Sequence, residues 1–394
     1  MLEVFLDQMT FVALPEEAVR MVEWPVVAER MVGDLLVMSH LDRVMGAPSP
    51  GYTPSGYTKG VCWNGGTGMA SIAYNQMAPT LGVIVQLSAR ALATWRRTTG
   101  GQVPDLLRLC DCPGRWRVRF SRIDLDADYI NEPTVETPTE VYDQLVNEQL
   151  MCCYRKTTKC GKESWVRRTT SARAFSVNGR VGTLYLGRNA KGAGATMRLY
   201  DKKTEQIEQN GPYRQRALDV DSWVRHEVVL LHHMAHASTE PLLNIWDEAV
   251  LAGFIADSIT ARFAFFQTEE GRRSTPHPLT AMLMERGGVG VAPPPNRDCP
   301  SLADSYRNVR DLSGLCSLLA KTREIWGDDA PRQVLDQLGD EFEQGYKLTD
   351  SVRHWVRNES GTARETWPAV DQFLEAVRKR KTSIACLPNA QLSI

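Results

Sequence analysis

Two periodicities in the amino-acid sequence predict a fold that mixes β-strands with α-helices. Apolar residues recur at three- and four-residue steps over 15–45 and over 243–266, the spacing of an amphipathic helix. Apolar and polar residues alternate at period two over 116–128, 182–187, 195–202 and 223–231, the spacing of strands. A length of 394 residues exceeds that of one ordinary domain. Punctuation by Pro and Gly then divides the chain into an N-terminal helical segment (1–47), a main domain (48–270), a linker (271–300) and a C-terminal helical region (301–394).

Composition narrows the function classes without choosing one. The hydrophobic share of 43% and charged share of 24% are those of an ordinary globular protein. No run of about 18 apolar residues is present, and Met1-Leu2-Glu3-Val4 lacks the basic flank of a secretory signal, so a cytoplasmic protein with no membrane partner is expected. Nine scattered cysteines fit reduced thiols better than a disulfide framework. With a net charge of −1, nucleic acid would have to meet local basic patches.

In chain order, Val19, Val22, Val26 and Val27, then Met31, Leu35 and Leu36, mark the helical stretch, which Pro25 is expected to break. Beyond Pro48, Pro50 and Pro54, Gly60-Val61-Cys62-Trp63, the turn Asn64-Gly65-Gly66 and residues 69–74 read as a hairpin. Val83–Leu87 reads as a buried strand, Ser88 as an N-cap, and 89–97 as a helix closed by Gly100-Gly101. Neither Gly-x-Gly-x-x-Gly nor Gly-Lys-Ser/Thr occurs here, so nucleotide binding is set aside.

From Trp116 to Phe120 the apolar residues Trp116, Val118 and Phe120 share one face and Arg117 and Arg119 the other. Beyond Ser121 the phase inverts, which a bulge there would explain: Arg122, Asp124, Asp126 and Asp128 then share a face opposite Ile123 and Leu125. Three carboxylates at period two repel one another unless a divalent cation or clustered Arg and Lys offset them. The alternative is the solvated face of an edge strand. Thr137, Pro138 and Glu140 then form a capping box.

Between Tyr154 and Arg173 lie Arg155, Lys156, Lys159, Lys162, Arg167 and Arg168 against the single acid Glu163, with Tyr154 and Trp165 interleaved. Cations with aromatics suit phosphates and unstacked bases, although such runs are often merely solvated. Two strands follow, joined by a Gly- and Ala-rich loop that contains Arg188 and Lys191. Alternation on the second places Arg198, Tyr200 and Lys202 on one face, where cations could stabilise a phenolate and the phosphate it attacks. Of its neighbours, Tyr200 alone is expected to share that face, with Tyr185 apart; an ordinary packing role for Tyr200 is the competing reading. A third strand turns Trp223, Arg225 and Glu227 one way and Val224, Val228 and Leu230 the other, so that Arg225 and Glu227 are either a structural ion pair or a phosphate clamp with a metal ligand.

Two further clusters are weaker. His232, His233 and His236 lack a neighbouring catalytic Glu, and Cys110, Cys112, Cys152, Cys153 and Cys160 match no standard zinc spacing. In the last hundred residues, three apolar-periodic stretches read as helices that could pack on the main domain, form a homodimer or receive a helicase.

In order, three motifs resemble the replication initiation factor family of rolling-circle plasmids, integrative conjugative elements and CTX-type filamentous phages. They are Arg122-Ile123-Asp124-Leu125-Asp126-Ala127-Asp128; Tyr185-Leu186-Gly187-Arg188-Asn189 with Arg198-Leu199-Tyr200-Asp201-Lys202-Lys203-Thr204-Glu205; and Trp223-Val224-Arg225-His226-Glu227. The chain departs from the family pattern at Asp126, where Ala is usual, and after Gly187, where Ser-Arg is usual. The resemblance spans about residues 60–231.

It implies an α+β fold, with a central antiparallel sheet and helices on one side, distantly like the His-hydrophobic-His nucleases. It also implies a metal-dependent nicking and closing enzyme. Tyr200 would attack one phosphodiester of single-stranded or cruciform origin DNA, keeping a 5′-phosphotyrosyl link and releasing a 3′-hydroxyl for host polymerase. Mg²⁺ or Mn²⁺ would be held by Asp124, Glu227 and Asp128, and the flanking phosphate by Arg198, Lys202 and Arg225. The remaining DNA contacts are expected from Arg122, Lys156, Lys159, Lys162, Arg167, Arg168, Arg188 and Lys191. A conjugative relaxase and a non-catalytic DNA-binding regulator are the alternatives. Retention of carboxylates, cations and tyrosine together argues against the regulator, since a decayed site tends to lose charges that are costly to bury.

Overall fold

The computed structural model describes residues 1–17, 19–51, 53–66, 68–157, 163–168, 172–177, 180–187, 194–288, 315–345 and 363–382, with isolated positions at 302, 306, 309, 356 and 360–361. It divides into two units, Met1–Asn296 and Arg297–Ile394.

Among the described residues of the first unit, ten strands form one sheet in which every neighbouring pair is antiparallel. Labelled in chain order, they run across the sheet as β2 (Ser49–Pro50), β3 (Lys59–Gly65), β4 (Gly68–Tyr74), β5 (Val83–Leu87), β1 (Leu2–Pro15), β6 (Trp116–Ile130), β12 (Trp223–Leu231), β11 (Ala195–Asp201), β10 (Arg180–Leu186) and β9 (Arg173–Val177). A smaller sheet has the order β14 (Arg272–Pro276), β13 (Ala264–Glu269), β7 (Leu150–Thr157) and β8 (Glu163–Arg167). The architecture is α+β.

One face of the large sheet builds the core. Leu6, Ile123, Leu125, Ala127, Leu184, Leu199 and Val228 are buried there with the apolar stripes of three helices: Trp24, Met31 and Leu35 of Trp24–Met38, Leu92 and Trp95 of Ala89–Thr99, and Phe254, Ile255 and Ile259 of Glu248–Thr260. At roughly 1.5–3 kcal/mol per large apolar side chain removed from water, this face is the main source of the unit's stability. On the opposite face, Lys202–Glu208 and Arg214–Leu218 cover one end, where Ile207, Ala217 and Trp223 pack together. The rest of that face carries the charged residues.

The bulge expected at Ser121 is present: Thr10 faces Arg122 and Phe11 faces Phe120, so Ser121 drops out of the pairing and the strand changes face. Ser88 caps its helix by accepting from the Ala91 amide, and Thr137 and Glu140 form the reciprocal capping box.

Four expectations are corrected. Residues 1–47 are not wholly helical, because β1 lies inside the sheet between β5 and β6. Pro25 opens the helix Trp24–Met38 instead of breaking one, since the first helical turn does not use its missing N–H. The helix expected over 243–266 covers only Glu248–Thr260, because the apolar run after it pairs with β7 as β13. The expected linker begins later than 271, as β14 and the helix Pro278–Arg286 occupy its first part and 289–300 lie outside the described residues.

The second unit contains the helices Leu315–Trp326, Ala330–Gly345 and Val370–Thr382. Its own small cluster sets Phe373 against Tyr306 and Trp367, with ring centroids at 5.8 and 5.1 Å.

Candidate active site

The acidic strand is not an edge strand; β6 is central, flanked by β1 and β12. Register then brings the three sequence motifs together. Across the sheet, Asp128 of β6 faces Arg225 of β12, which faces Tyr200 of β11, which faces Thr183 of β10. In the adjacent row, Asp126 faces Glu227, Glu227 faces Arg198, and Arg198 faces Tyr185. Directly opposed residues share a face, so Asp124, Asp126, Asp128, Arg198, Tyr200, Arg225 and Glu227 converge on one surface. Tyr185 shares it too, contrary to the expectation that set it apart: it lies opposite Arg198.

Tyr200 is 8% exposed, and its hydroxyl donates to Glu227 Oε2 at 3.4 Å. Arg198 pairs with the other oxygen of Glu227, its Nε donating at 2.9 Å, and its guanidinium carbon lies 5.8 Å from the Tyr200 ring centre. Lys202, the first residue of the helix after β11, is buried; its Nζ is 5.5 Å from the same ring and 2.6 Å from Glu205. Burial pushes the Tyr200 phenol well above its ordinary pKa; Arg225 works against that, while Glu227, Asp126 and Glu205 add to it. A phenol in this position needs a proton acceptor and additional positive charge before it can attack.

Arg225 is 2% exposed and surrounded by carboxylates. Its Nε and Nη2 donate to Asp128 at 2.6 and 2.8 Å, while Nη1 lies 2.6 Å from Asp126 and 3.4 Å from Asp7. Arg122 makes a bidentate pair with Asp124, both bonds at 2.7 Å. Burial raises the pKa of Asp124, partly offset by Arg122, and raises those of Asp7 and Asp126 against the pull of Arg225. Although Asp126 is ion-paired, neither of its buried oxygens has a well-aligned hydrogen-bond donor.

Asp7 was not anticipated. It sits at a bulge in β1, where pairing jumps from Leu6 with Leu125 to Gln8 with Asp124. The signal was in the sequence: the apolar series Leu2, Val4, Leu6 slips phase to Met9, Phe11, Ala13, the same inversion that marks Ser121.

The donors present suit a hard divalent cation. Asp7, Asp124, Asp126, Asp128, Glu205 and Glu227 face four cations, Arg122, Arg198, Lys202 and Arg225, so that full ionisation of the six would leave two negative charges uncompensated. Asp124, Asp128 and Glu227 are each engaged by an arginine, and among the described residues no three such side chains are gathered as a ready ligand set. Asp126 is the carboxylate whose oxygens lack hydrogen bonds.

The other basic residues lie apart from this face. Lys156 is exposed on β7 and Arg167 on β8, 3.4 Å from Glu148, whereas Arg168 packs into the fold, donating to the Arg262 carbonyl at 2.7 Å and stacking on Phe263 at 4.0 Å. Lys159, Lys162, Arg188 and Lys191 lie outside the described residues. A cavity of about 710 Å³ adjoins the site, with Asp128, Arg225, Trp223, Tyr213 and Arg216 in its wall.

Residues 118–281 match a family model described as replication initiation factor. Among solved structures, the chain is similar to the rolling circle replication initiator protein from Geobacillus stearothermophilus, with 14% identity over 74% of this chain and 99% of that one and a TM-score of 0.49. No curated protein matches. The matched residues, under half of the chain, hold most of the acidic strand β6, the tyrosine strand β11 and the Arg-x-Glu strand β12, and over that span the chain is similar to the replication initiation factor family.

Proposed function

We propose that the protein initiates rolling-circle replication by nicking one strand of origin DNA with Tyr200. The observation that carries this reading is the hydrogen bond from the Tyr200 hydroxyl to Glu227 at the boundary between a carboxylate cluster and the guanidinium of Arg198. Tyr200 Oη attacks the phosphorus, and its proton passes to the Glu227 carboxylate. A bond forms between phosphorus and the tyrosyl oxygen while the bond to the 3′ oxygen breaks. The 5′ phosphate stays on the protein, and the departing 3′ oxygen takes a proton from water to become the hydroxyl that primes synthesis.

Arg198, whose side chain is 42% exposed, is placed to meet the phosphate. Lys202, held beside the ring, would add positive charge near the phenolate. Arg225 is engaged by carboxylates on every side, so its role here is to position Asp126, Asp128 and Asp7. Mg²⁺ or Mn²⁺ would be held by Asp126 together with Asp124 and Asp128, with Glu227, a metal ligand in what the resemblance implies, kept as the proton acceptor, and would supply polarisation of the phosphoryl oxygens. Arg122, Lys156 and Arg167 are proposed as backbone contacts to DNA.

The test is denaturing gel electrophoresis after incubation with labelled single-stranded DNA carrying the origin of the element that encodes the protein. Tyr200→Phe should abolish the covalent adduct while origin binding persists, and Tyr185→Phe should keep the adduct. An adduct that survives in Tyr200→Phe and disappears in Tyr185→Phe would move the nucleophile to β10.

A further inference from the structure

The charged face of the large sheet is divided. Its carboxylates lie on β1, β6 and β12, or on the helix Lys202–Glu208. The three outer strands carry none on that face: β9 contributes Arg173 and Phe175, β10 contributes Thr183 and Tyr185, and β11 contributes Arg198 and Tyr200, while Asp201 caps the following helix. Tyr200 stands where the two halves meet.

Two rows run outward from this boundary. Tyr200 faces Thr183, which faces Phe175; Arg198 faces Tyr185, which faces Arg173. Tyr185 therefore has an arginine opposite it on each neighbouring strand. It is 36% exposed, and Phe175, in the sheet's outermost strand, is 62% exposed. A Phe so open on a strand contributes little to the core. With strands about 4.8 Å apart, Phe175 stands about 10 Å from the tyrosine strand, roughly the length of three stacked nucleotides at about 3.4 Å each.

We propose that β9 and β10 form a stacking track for single-stranded DNA, in which Tyr185 and Phe175 each receive a base of the strand leading to the phosphate at Tyr200. Arg173 and Arg198 meet its phosphates. This rests on the nicking reading above and adds how the strand is gripped beside the attacked phosphate. Aromatic faces accept any base, so the track holds the strand without reading its sequence. Positive charge on this half and negative charge on the other favour a polyanion lying across β9 to β11 and ending at the tyrosine.

The test uses the full chain and two probes that need no origin sequence: a 12-nucleotide oligo-dT and an abasic strand of the same length, with binding read by fluorescence anisotropy. Phe175→Ala and Tyr185→Ala should each weaken oligo-dT binding by about 5- to 150-fold, the usual range for losing one stacked base. Binding of the abasic strand should change by less than about twofold, and Phe175→Tyr and Tyr185→Phe should restore oligo-dT affinity because both keep a ring. Equal losses on both probes, unchanged oligo-dT affinity, or no oligo-dT binding by the unaltered chain would each overturn the track. So would alanine variants that dissolve a dimer seen by sedimentation while keeping oligo-dT affinity, which would make β9 a self-association edge. Failure of the unaltered chain to form the Tyr200 adduct would sink the nicking reading itself; an adduct with alanine variants that still bind oligo-dT normally would sink the track alone.

Discussion

Asp126 concentrates the electrostatic problem of the site. It is fully buried, shares Arg225 Nη1 with Asp7, and occupies the position where the resembling family usually has alanine. Burial without aligned donors makes its negative charge costly, and a bound divalent ion would relieve that cost. Saturating Mg²⁺ or Mn²⁺ should therefore raise the melting temperature of the unaltered chain, by about 2.7 kcal/mol of stability at a hundredfold excess over Kd. In Asp126→Asn the gain should vanish while the metal-free protein is at least as stable as the parent; an undiminished gain in calorimetry would exclude Asp126 as a ligand. Arg225→Met should destabilise the fold by about 3–5 kcal/mol in urea melts, because Asp126 and Asp128 lose their buried partner. Removing Arg115, paired with Asp34 at the surface, should cost about 0–1 kcal/mol. Similar costs for the two would mean that the Arg225 network contributes little.

At the scale of elements, changes of phase do the positioning. The bulge at Ser121 turns β6 so that apolar residues line the core before it and after it while the acids reach the opposite face, and the β1 bulge delivers Asp7 to the same place. Helix ends carry a different sensitivity. His277 caps the helix Pro278–Arg286: its Nδ1 accepts from the Leu279 amide at 3.3 Å, and its Nε2 lies 3.1 Å from Glu136. Burial holds its pKa below the ordinary value, with Glu136 working against that. The neutral ring is thus the folded form. Its contribution is complete above about pH 6.5 and is lost as the pH falls below that value, where the unfolded chain binds the proton first. In His277→Asn, which keeps a capping oxygen and does not titrate, stability should fall less between pH 7 and 5 than in the parent; parallel pH curves from thermal melts would show that His277 does not contribute.

For the whole molecule, the candidate site and the main core both lie within Met1–Asn296, and the second unit has an aromatic cluster of its own. A chain ended after Asn296 should fold cooperatively and still form the Tyr200 adduct; loss of the adduct with folding intact would assign the helical unit a part in origin engagement. DNA affinity should follow local basic surface, given the net charge of −1. Neutralising Lys156 and Arg167 should weaken binding to all single strands alike and reduce the salt slope by about 0.7 for each phosphate no longer neutralised. A changed sequence preference at constant slope would point to base reading there. Among the described residues, no helix is long and apolar enough to cross a membrane.

Much of this was legible in one dimension. Period-two alternation located β6, β11 and β12, the inverted phase announced the bulge at Ser121, and the spacing of Arg198, Tyr200 and Lys202 grouped three side chains that the fold holds together. Such patterns survive in sequence because a strand's side chains alternate whatever it pairs with. Pairing itself is non-local. Only the tertiary structure placed the acidic strand at the centre of the sheet, set Tyr185 on the face of Tyr200, brought Asp7 from the N-terminal strand to Arg225, and engaged that arginine with carboxylates in place of an open phosphate site. Register between strands distant in the chain follows from how their apolar faces pack together, and no single segment carries that information.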